Sequence, residues 1–205
     1  MGKYLTRLET AFISKAFTPS KDGVVIDVGA EAGRFSLLAA NHNLSVIAID
    51  IDAYSLRRIK QKNKEVTVVQ ADARNIPFQS NSFDGVFMVE VLDYIPQLDK
   101  VLGECNRVLK SDSPFVLSFG NQSSIKAKLR ALHGKSYMHS YRRVMLSLLK
   151  VGFKVNRKLG YNWLPLGRMS QSRLVPILAS VEAIFGLRKL PRLSPWVLLS
   201  GTKST

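Results

Sequence analysis

The sequence predicts an α/β fold in which a parallel sheet is covered by helices on both faces. Runs of strand length alternate with stretches of helical periodicity through the first 120 residues. The strand-length runs are almost continuously apolar, as expected of strands buried on both sides. The chain has 205 residues, enough for one domain with a substantial core. We therefore treat residues 1–205 as a single domain.

The first 120 residues divide into regular elements. An opening helix over 3–16 is predicted by apolar residues at Tyr4, Leu8, Ala11 and Phe12. Five strands follow along the chain, predicted at 24–28, 44–50, 66–70, 83–91 and 114–119. Helices are predicted between them at 34–42, 53–64 and 98–110. The apolar side of the last of these helices contains Cys105, so we expect this thiol to be a core residue and not a nucleophile.

After residue 120 the regular alternation of predicted strands and helices changes. A polar, basic segment at 120–140 precedes a helix predicted over 141–152, which ends at a glycine. A strand is predicted at 153–164, then a basic amphipathic helix at 169–190 that Pro176 interrupts. A final strand is predicted at 195–203, and we expect it to pair with the strand before it.

Charge is distributed very unevenly. Residues 121–205 contain 16 Lys and Arg but only one acid, Glu182, so they account for the whole net charge of +15. We interpret residues 1–120 as a cofactor-binding half and residues 121–205 as a basic substrate-side half. The basic half predicts an anionic partner, either RNA or a membrane surface, although an ordinary basic surface remains an alternative.

Composition also bears on location. A single cysteine is typical of a reducing compartment. The N-terminal residues lack the pattern of a signal peptide, and no run approaches the ~18 apolar residues of a membrane span. The sequence predicts a cytoplasmic protein, with peripheral membrane association through the basic half as a further option.

Acidic residues stand at the ends of three successive strands. Asp27 begins the turn Asp-Val-Gly-Ala-Glu-Ala-Gly (27–33), Asp50 closes the second strand, and Asp72 follows the third. Carboxyl ends of parallel strands are where such sheets bind nucleotide-type cofactors, with the turn near the ligand and an acid on the ribose. Each acid alone also suits a turn or helix cap. The three together favour a cofactor site.

The stretch around these acids resembles the class I S-adenosylmethionine-dependent methyltransferases, in particular the methyltransferase-11 type. The resemblance covers about residues 20–120, and the segment at 71–110 carries it most clearly through Asp72-Ala73, Ser82-Phe83-Asp84 and Glu90-Val91-Leu92. It implies a Rossmann-like, doubly wound sheet of seven mostly parallel strands, of which the last is antiparallel, with helices on both faces.

The resemblance implies a cofactor site for S-adenosylmethionine, with S-adenosylhomocysteine as the product. Around the methionine part it places a turn formed by Asp27, Gly29, Ala30 and Gly33. The remaining residues that it implies hold the ribose, adenine and methionine end: Asp50 at the ribose hydroxyls, Ile51 on the adenine, Asp72 and Ala73 at the adenine edge, and Glu90 at the methionine end or the substrate. No metal ion is expected.

Glu31 is the departure from the family pattern with the greatest consequence, because it replaces the usual middle glycine of the turn. A carboxylate is tolerable beside a sulfonium or ammonium but would repel a pyrophosphate. Glu31 therefore argues against a nicotinamide dinucleotide and only weakly against S-adenosylmethionine. A second departure, Asp93-Tyr94 in place of a frequent histidine pair, falls on the substrate side.

Methyl transfer from a sulfonium mainly requires an oriented acceptor and exclusion of water. The sequence names no obligatory catalytic residue. Weak candidates for a general base are Asp93, Tyr94 and His139, with Tyr141 nearby, and each suits a surface or capping role better. The acceptor is expected to be a small molecule, a lipid-linked or glycan-linked group, or RNA. Two other classes stay open, a nicotinamide oxidoreductase and a methyltransferase-like module without activity.

Overall fold

Seven strands form one sheet in the computed structural model, which describes residues 2–131, 138–163 and 175–205. The strands are β1 (Val24–Val28), β2 (Ser45–Asp50), β3 (Thr67–Gln70), β4 (Gly85–Met88), β5 (Pro114–Gly120), β6 (Phe153–Tyr161) and β7 (Trp196–Lys203). The helices are α1 (Gly2–Ala16), α2 (Arg34–Ala40), α3 (Ala53–Lys62), α4 (Leu98–Val108), α5 (Ile125–Ala131), α6 (Tyr141–Lys150) and α7 (Val175–Ile184). Two short 3-10 turns, Leu92–Tyr94 and Leu187–Lys189, complete the regular structure of the described residues.

The sheet has the strand order β3-β2-β1-β4-β5-β7-β6. Strands β1 to β5 pair in parallel, and β7 runs antiparallel to both β5 and β6. The order reverses between β1 and β4, which is where open α/β sheets leave a crevice at the carboxyl ends of their strands. The predicted fold class is confirmed, including the seven strands and the antiparallel last one.

Alternate residues of each strand supply two apolar layers, one on each face of the sheet. On one face the core contains α4 and α6, and on the other it contains α1, α2 and α3. In β1, for example, Ile26 and Val28 belong to the first layer and Val25 to the second. Side chains of a strand point alternately to the two faces, so both layers must be apolar, which explains the continuous apolar runs.

Helix α1 has a different buried stripe from the predicted one. Leu5, Glu9, Ile13 and Phe17 are buried, whereas Ala11 is exposed. Tyr4, Leu8 and Phe12 of the predicted face are half-buried against the same core, so only Ala11 was wrongly placed. The buried residues recur every four positions. Because one of them is the acid Glu9, a search for apolar residues alone does not detect this spacing.

Several predicted boundaries also shift. The strand expected at 83–91 is only Gly85–Met88, and the strand expected at 153–164 ends at Tyr161. The helix expected at 34–42 ends at Ala40. The first residues of the helix predicted at 169–190 lie outside the described part of the chain.

Cys105 is confirmed as a core residue. Its side chain is buried in the layer beneath α4, and burial raises the pKa of the thiol to about 12. A thiol protonated at neutral pH and closed to solvent is not a nucleophile.

Candidate cofactor site

A cavity of about 840 Å³ lies at the carboxyl ends of β1, β2, β3 and β4. Each strand leads directly into a segment that lines it, so the site is assembled by the parallel sheet itself. The lining residues are Gly29, Ala30, Glu31, Ala32, Arg34, Ile49, Asp50, Ile51, Ala71, Asp72, Ala73, Arg74, Val89, Glu90, Val91, Tyr94, Ile95, Pro96 and Gln97. Seven of the nine predicted cofactor residues are among them, and Asp27 and Gly33 are not.

The turn after β1 needs left-handed backbone at three positions. Gly29 has φ of 70°, Glu31 of 47° and Gly33 of 77°. A Cβ on Gly29 would lie 2.4 Å from Cγ2 of Val91, and one on Gly33 would lie 2.7 Å from Cγ1 of Ile59. Both glycines are thus required by backbone conformation and by close protein packing.

Glu31 has a left-handed backbone, the conformation in which glycine is favoured. A left-handed φ costs a non-glycine residue roughly 1–2 kcal/mol, so the turn keeps its shape at some expense of stability. The side chain of Glu31 is exposed at the rim of the cavity. The turn therefore has left-handed backbone at its middle position although no glycine stands there.

Asp50 is held in a defined orientation at the end of β2. Its Oδ2 accepts a hydrogen bond from the backbone N–H of Glu31 at 2.9 Å, and its Oδ1 accepts one from the backbone N–H of Asp52 at 2.9 Å. Each carboxylate oxygen can accept more than one hydrogen bond. Asp50 thus lines the cavity as an oriented acceptor beside Ile51, whose side chain is 70% exposed.

Asp27 does not reach the cavity. Its carboxylate is buried beneath the turn and accepts a hydrogen bond from the Ser36 hydroxyl at 2.6 Å. Burial raises the pKa of Asp27 to about 6, and the bonds from Ser36 oppose that rise. Through this bond Asp27 ties the end of β1 to the first helical turn of α2. It therefore supports the loop between β1 and α2 from within the core.

Asp72 is engaged by Arg74. The Asp72 carboxylate accepts hydrogen bonds from Nε and Nη2 of Arg74, the shortest at 2.6 Å, and from its backbone N–H at 2.8 Å. The side-chain bonds from Arg74 hold the pKa of Asp72 below its usual value. Arg74 itself lines the cavity, so a ligand that uses Asp72 has to share it with this guanidinium.

Glu90 and Arg34 place opposite charges in the part of the cavity that is lined by the segments after β1 and β4. Glu90 has φ of 65° just beyond β4, and its backbone N–H donates to the Ser118 hydroxyl at 2.9 Å. Oε1 of Glu90 lies 3.5 Å from Nη2 of Arg34. Arg34 opens α2 immediately after Gly33, but sequence reasoning did not single it out.

Glu9 of α1 is a buried acid that sequence reasoning missed altogether. Its Oε2 lies 2.7 Å from Nη1 of Arg34, and its Oε1 accepts a hydrogen bond from the hydroxyl of Tyr161 at 2.9 Å. Burial raises the pKa of Glu9 to about 7; Arg34 opposes this rise, and Glu90 adds to it. The only sequence signal was its position in the four-residue spacing of the buried stripe.

The weak candidates for a general base occupy three different environments. Tyr94 lines the cavity and is 82% exposed. Asp93 does not line the cavity; its carboxylate accepts a hydrogen bond from the Gly120 N–H at 2.8 Å, and burial raises its pKa. His139 is buried, with Nε2 2.9 Å from the carbonyl oxygen of Ile95. Tyr141 begins α6 and packs partly buried against the core.

The sheet order, the antiparallel β7 and the cavity at the reversal of strand order define a class I methyltransferase fold. The comparisons with known proteins agree. Residues 26–117 match the family described as a methyltransferase domain, of the methyltransferase-11 type. Residues 26–117 thus carry a methyltransferase domain, and the fold of the described residues is that of the class I S-adenosylmethionine-dependent methyltransferases.

Among curated proteins, an uncharacterized protein of Methanocaldococcus jannaschii is 32% identical over 117 residues, which are 57% of this chain and 49% of that protein. The 24-methylenesterol C-methyltransferase 2 of Arabidopsis thaliana is 33% identical over 99 residues, 45% of this chain and 27% of that enzyme. The chain thus aligns with half or less of the length of these relatives. A putative S-adenosylmethionine-dependent methyltransferase of Listeria monocytogenes has the same fold, with a TM-score of 0.73, 18% identity, and coverage of 98% of this chain and 99% of that one.

Proposed function

We propose that the chain is an S-adenosylmethionine-dependent methyltransferase whose acceptor is an anionic small molecule or a lipid-linked or glycan-linked group. One observation carries the proposal. The acid expected at a ribose, Asp50, lines the cavity with its carboxylate oriented by two backbone N–H groups, and an exposed apolar side chain, Ile51, stands beside it. A fixed acceptor next to an apolar platform suits a ribose diol and a purine face.

The opposite end of the cavity fits an amino-acid group. Arg34 and Glu90 present a cation and an anion 3.5 Å apart, which matches the carboxylate and ammonium of a methionine moiety. Glu31 lines the turn at the position where a dinucleotide would place its pyrophosphate, and two anions there repel each other. The residues present therefore favour S-adenosylmethionine over a nicotinamide cofactor.

S-adenosylmethionine, when bound, supplies an electrophilic methyl group on a sulfonium. The protein has to orient the acceptor in line with that group and to keep water away. Tyr94, Pro96 and Gln97 form the wall that follows β4, and we propose that they contact the acceptor. Of the three weak base candidates, only Tyr94 lines the cavity, so acceptor deprotonation, where needed, falls to Tyr94 or to the acceptor's own acidity.

The nature of the acceptor is supported by two observations. The Arabidopsis relative is named for a sterol substrate, which favours a lipid-like acceptor over RNA. All of the excess positive charge belongs to residues 121–205, which favours an anionic group. We propose that residues 1–120 bind the cofactor and that the basic half contacts the acceptor; RNA methylation and an inactive binding module are the alternatives.

Calorimetric titration of the full chain with S-adenosylmethionine tests the cofactor. We expect binding, and we expect Asp50→Asn to weaken it roughly tenfold or more because an oriented charged acceptor is lost. The matched control is Asp112→Asn, the same change at an exposed turn between α4 and β5. No binding to the unmodified chain, or equal loss in both variants, contradicts the proposal.

Transfer of a radiolabelled methyl group tests the acceptor. The chain is incubated with labelled S-adenosylmethionine and one of three fractions: small metabolites, a polar lipid extract that includes lipid-linked glycans, or total RNA. We expect label in the metabolite or the lipid fraction, which Asp50→Asn abolishes. Label in RNA alone supports the RNA alternative, and cofactor binding without transfer to any fraction supports the inactive module.

A further inference from the structure

The outer face of α7 is apolar and exposed. Ile177, Val181, Ile184 and Phe185 recur at the spacing of one helical face. Ile184 is 78% exposed and Phe185 72%, and the other two are also exposed. Single exposed apolar residues need no explanation, but three on one face of a ten-residue helix, continued by Phe185 directly after its end, form a stripe.

The inner face of the same helix holds its only acid. Glu182 is fully buried, and its Oε2 accepts a hydrogen bond from the Tyr4 hydroxyl of α1 at 2.6 Å. Its Oε1 accepts one from the backbone N–H of Trp163 at 2.8 Å. A surface helix normally buries its apolar residues and exposes its charges. Among the side chains of α7 that the structure describes this order is reversed, and the bonds of Glu182 fix which face points outward.

The residues after α7 continue this surface and add cations to it. Lys189, Leu190, Arg192 and Leu193 are all exposed. We define the α7 surface as the four stripe residues together with these four. Its chemistry is aliphatic and aromatic side chains beside cations, with no acid among the eight.

We propose that the α7 surface docks on an anionic lipid bilayer. Helices that lie in a membrane interface have an apolar face bordered by Lys and Arg, which enter the acyl boundary and contact anionic headgroups. Charge complementarity favours this occupant over a second copy of the chain, because self-association would bring basic surfaces together. It also favours lipid over RNA, since Phe185 alone among the six apolar side chains of this surface has a π face for stacking, and none of the six offers a base a hydrogen bond.

The proposed docking is on the surface of the bilayer. Within the described ranges, no helix is long and apolar enough to cross a membrane. Tyr4, which binds Glu182, lies on the same helix as Glu9, which pairs with Arg34 of the cavity. Helix α1 thus connects the docking helix to the cofactor site, although lipid binding itself does not depend on methyl transfer.

Co-sedimentation of the full chain with vesicles tests the docking. Vesicles of phosphatidylcholine alone are compared with vesicles that also contain phosphatidylglycerol. We expect binding to the second kind, weakened by salt, and little binding to the first. The variant Ile184→Ser/Phe185→Ser is expected to weaken binding roughly tenfold or more, because two large side chains can no longer be buried in the bilayer.

The matched control is Leu146→Ser/Leu149→Ser. These two leucines are also exposed, but they lie on α6, which packs on the opposite face of the sheet. We expect this variant to bind vesicles like the unmodified chain, and thermal unfolding verifies that both variants are folded. A third variant, Lys189→Glu/Arg192→Glu, should lose the preference for phosphatidylglycerol.

Four results would overturn the proposal. The unmodified chain binds neither kind of vesicle. The stripe variant and the leucine control bind equally well. The chain retains an RNA oligonucleotide but not vesicles. Sedimentation equilibrium shows a dimer that the stripe variant alone disrupts, which would assign the surface to a second copy.

Discussion

The backbone N–H of Glu31 donates a hydrogen bond to Oδ2 of Asp50, with 2.9 Å between the two atoms. Glu31, which stands where a glycine is expected, therefore uses its backbone N–H to orient Asp50, the acid expected at the ribose. Any residue other than proline has that N–H. Glu31 adopts the left-handed conformation that position 31 requires, so its presence is compatible with the observed orientation of Asp50.

Glu31→Gly should stabilise the protein. It removes the left-handed strain at φ 47° while the backbone bond to Asp50 is kept, and the gain is partly offset by the greater freedom of glycine in the unfolded chain. We expect a net gain of about 0.5–1 kcal/mol, measured by urea denaturation. As a control, Glu65→Gly changes an exposed glutamate that has no positive φ and should not stabilise. A destabilised Glu31→Gly protein would mean that the side chain of Glu31 is needed.

Gly29→Ala should destabilise the protein strongly, because the new Cβ would lie 2.4 Å from Cγ2 of Val91 at a left-handed φ. We expect a loss of about 2–4 kcal/mol in the free energy of unfolding. Gly103→Ala is the control: no atom lies within 4 Å of its Cβ position on α4, and alanine should stabilise that helix by about 0.5–1 kcal/mol. Adding Val91→Ala to Gly29→Ala should restore part of the loss, and simple additivity of the two changes would refute the clash.

Glu9→Gln should change how stability depends on pH. The pKa of Glu9 is raised from 4.5 to about 7 by burial, so the folded state binds this proton more tightly than the unfolded state. Stability from this group is complete below about pH 4.5 and is lost as pH rises toward 7. The variant should therefore gain on the order of 1–3 kcal/mol relative to the unmodified protein across that interval. Urea denaturation at several pH values measures the difference, and a constant difference would show that Glu9 does not titrate there.

Tyr4→Phe should weaken the attachment of α1 to α7. The Tyr4 hydroxyl donates to Glu182 at 2.6 Å, and burial together with Glu182 raises the pKa of Tyr4 to about 12. A hydrogen bond to a charged acceptor is typically worth about 1.5–3 kcal/mol, and we expect a loss of that order. A double-mutant cycle with Glu182→Gln measures the coupling, and Tyr54→Phe, on an exposed tyrosine of α3, is the control. Full additivity in the cycle would exclude a direct interaction.

The rule that parallel strands end at one edge of the sheet predicted the acids Asp50 and Asp72, and the family resemblance added Ile51, Ala73 and Glu90. Asp50, Ile51, Asp72, Ala73 and Glu90 all follow such strands and all line the cavity. Asp27 and Gly33 belong to the same turn but serve packing and hydrogen bonding beneath it. A motif identifies the turn, whereas the direction of each side chain depends on the neighbours that pack against it.

The sequence by itself determined the order of strands and helices, the apolar core and the edge of the sheet that carries the site, because these depend on local periodicity and on where each strand ends. Only the tertiary structure decided that Glu9 of α1 meets Arg34 and that Glu182 turns inward while Ile184 and Phe185 face out. These relations join residues that are far apart in the chain. They arise from the packing of α1 against the sheet and of α7 against α1, which no local pattern encodes.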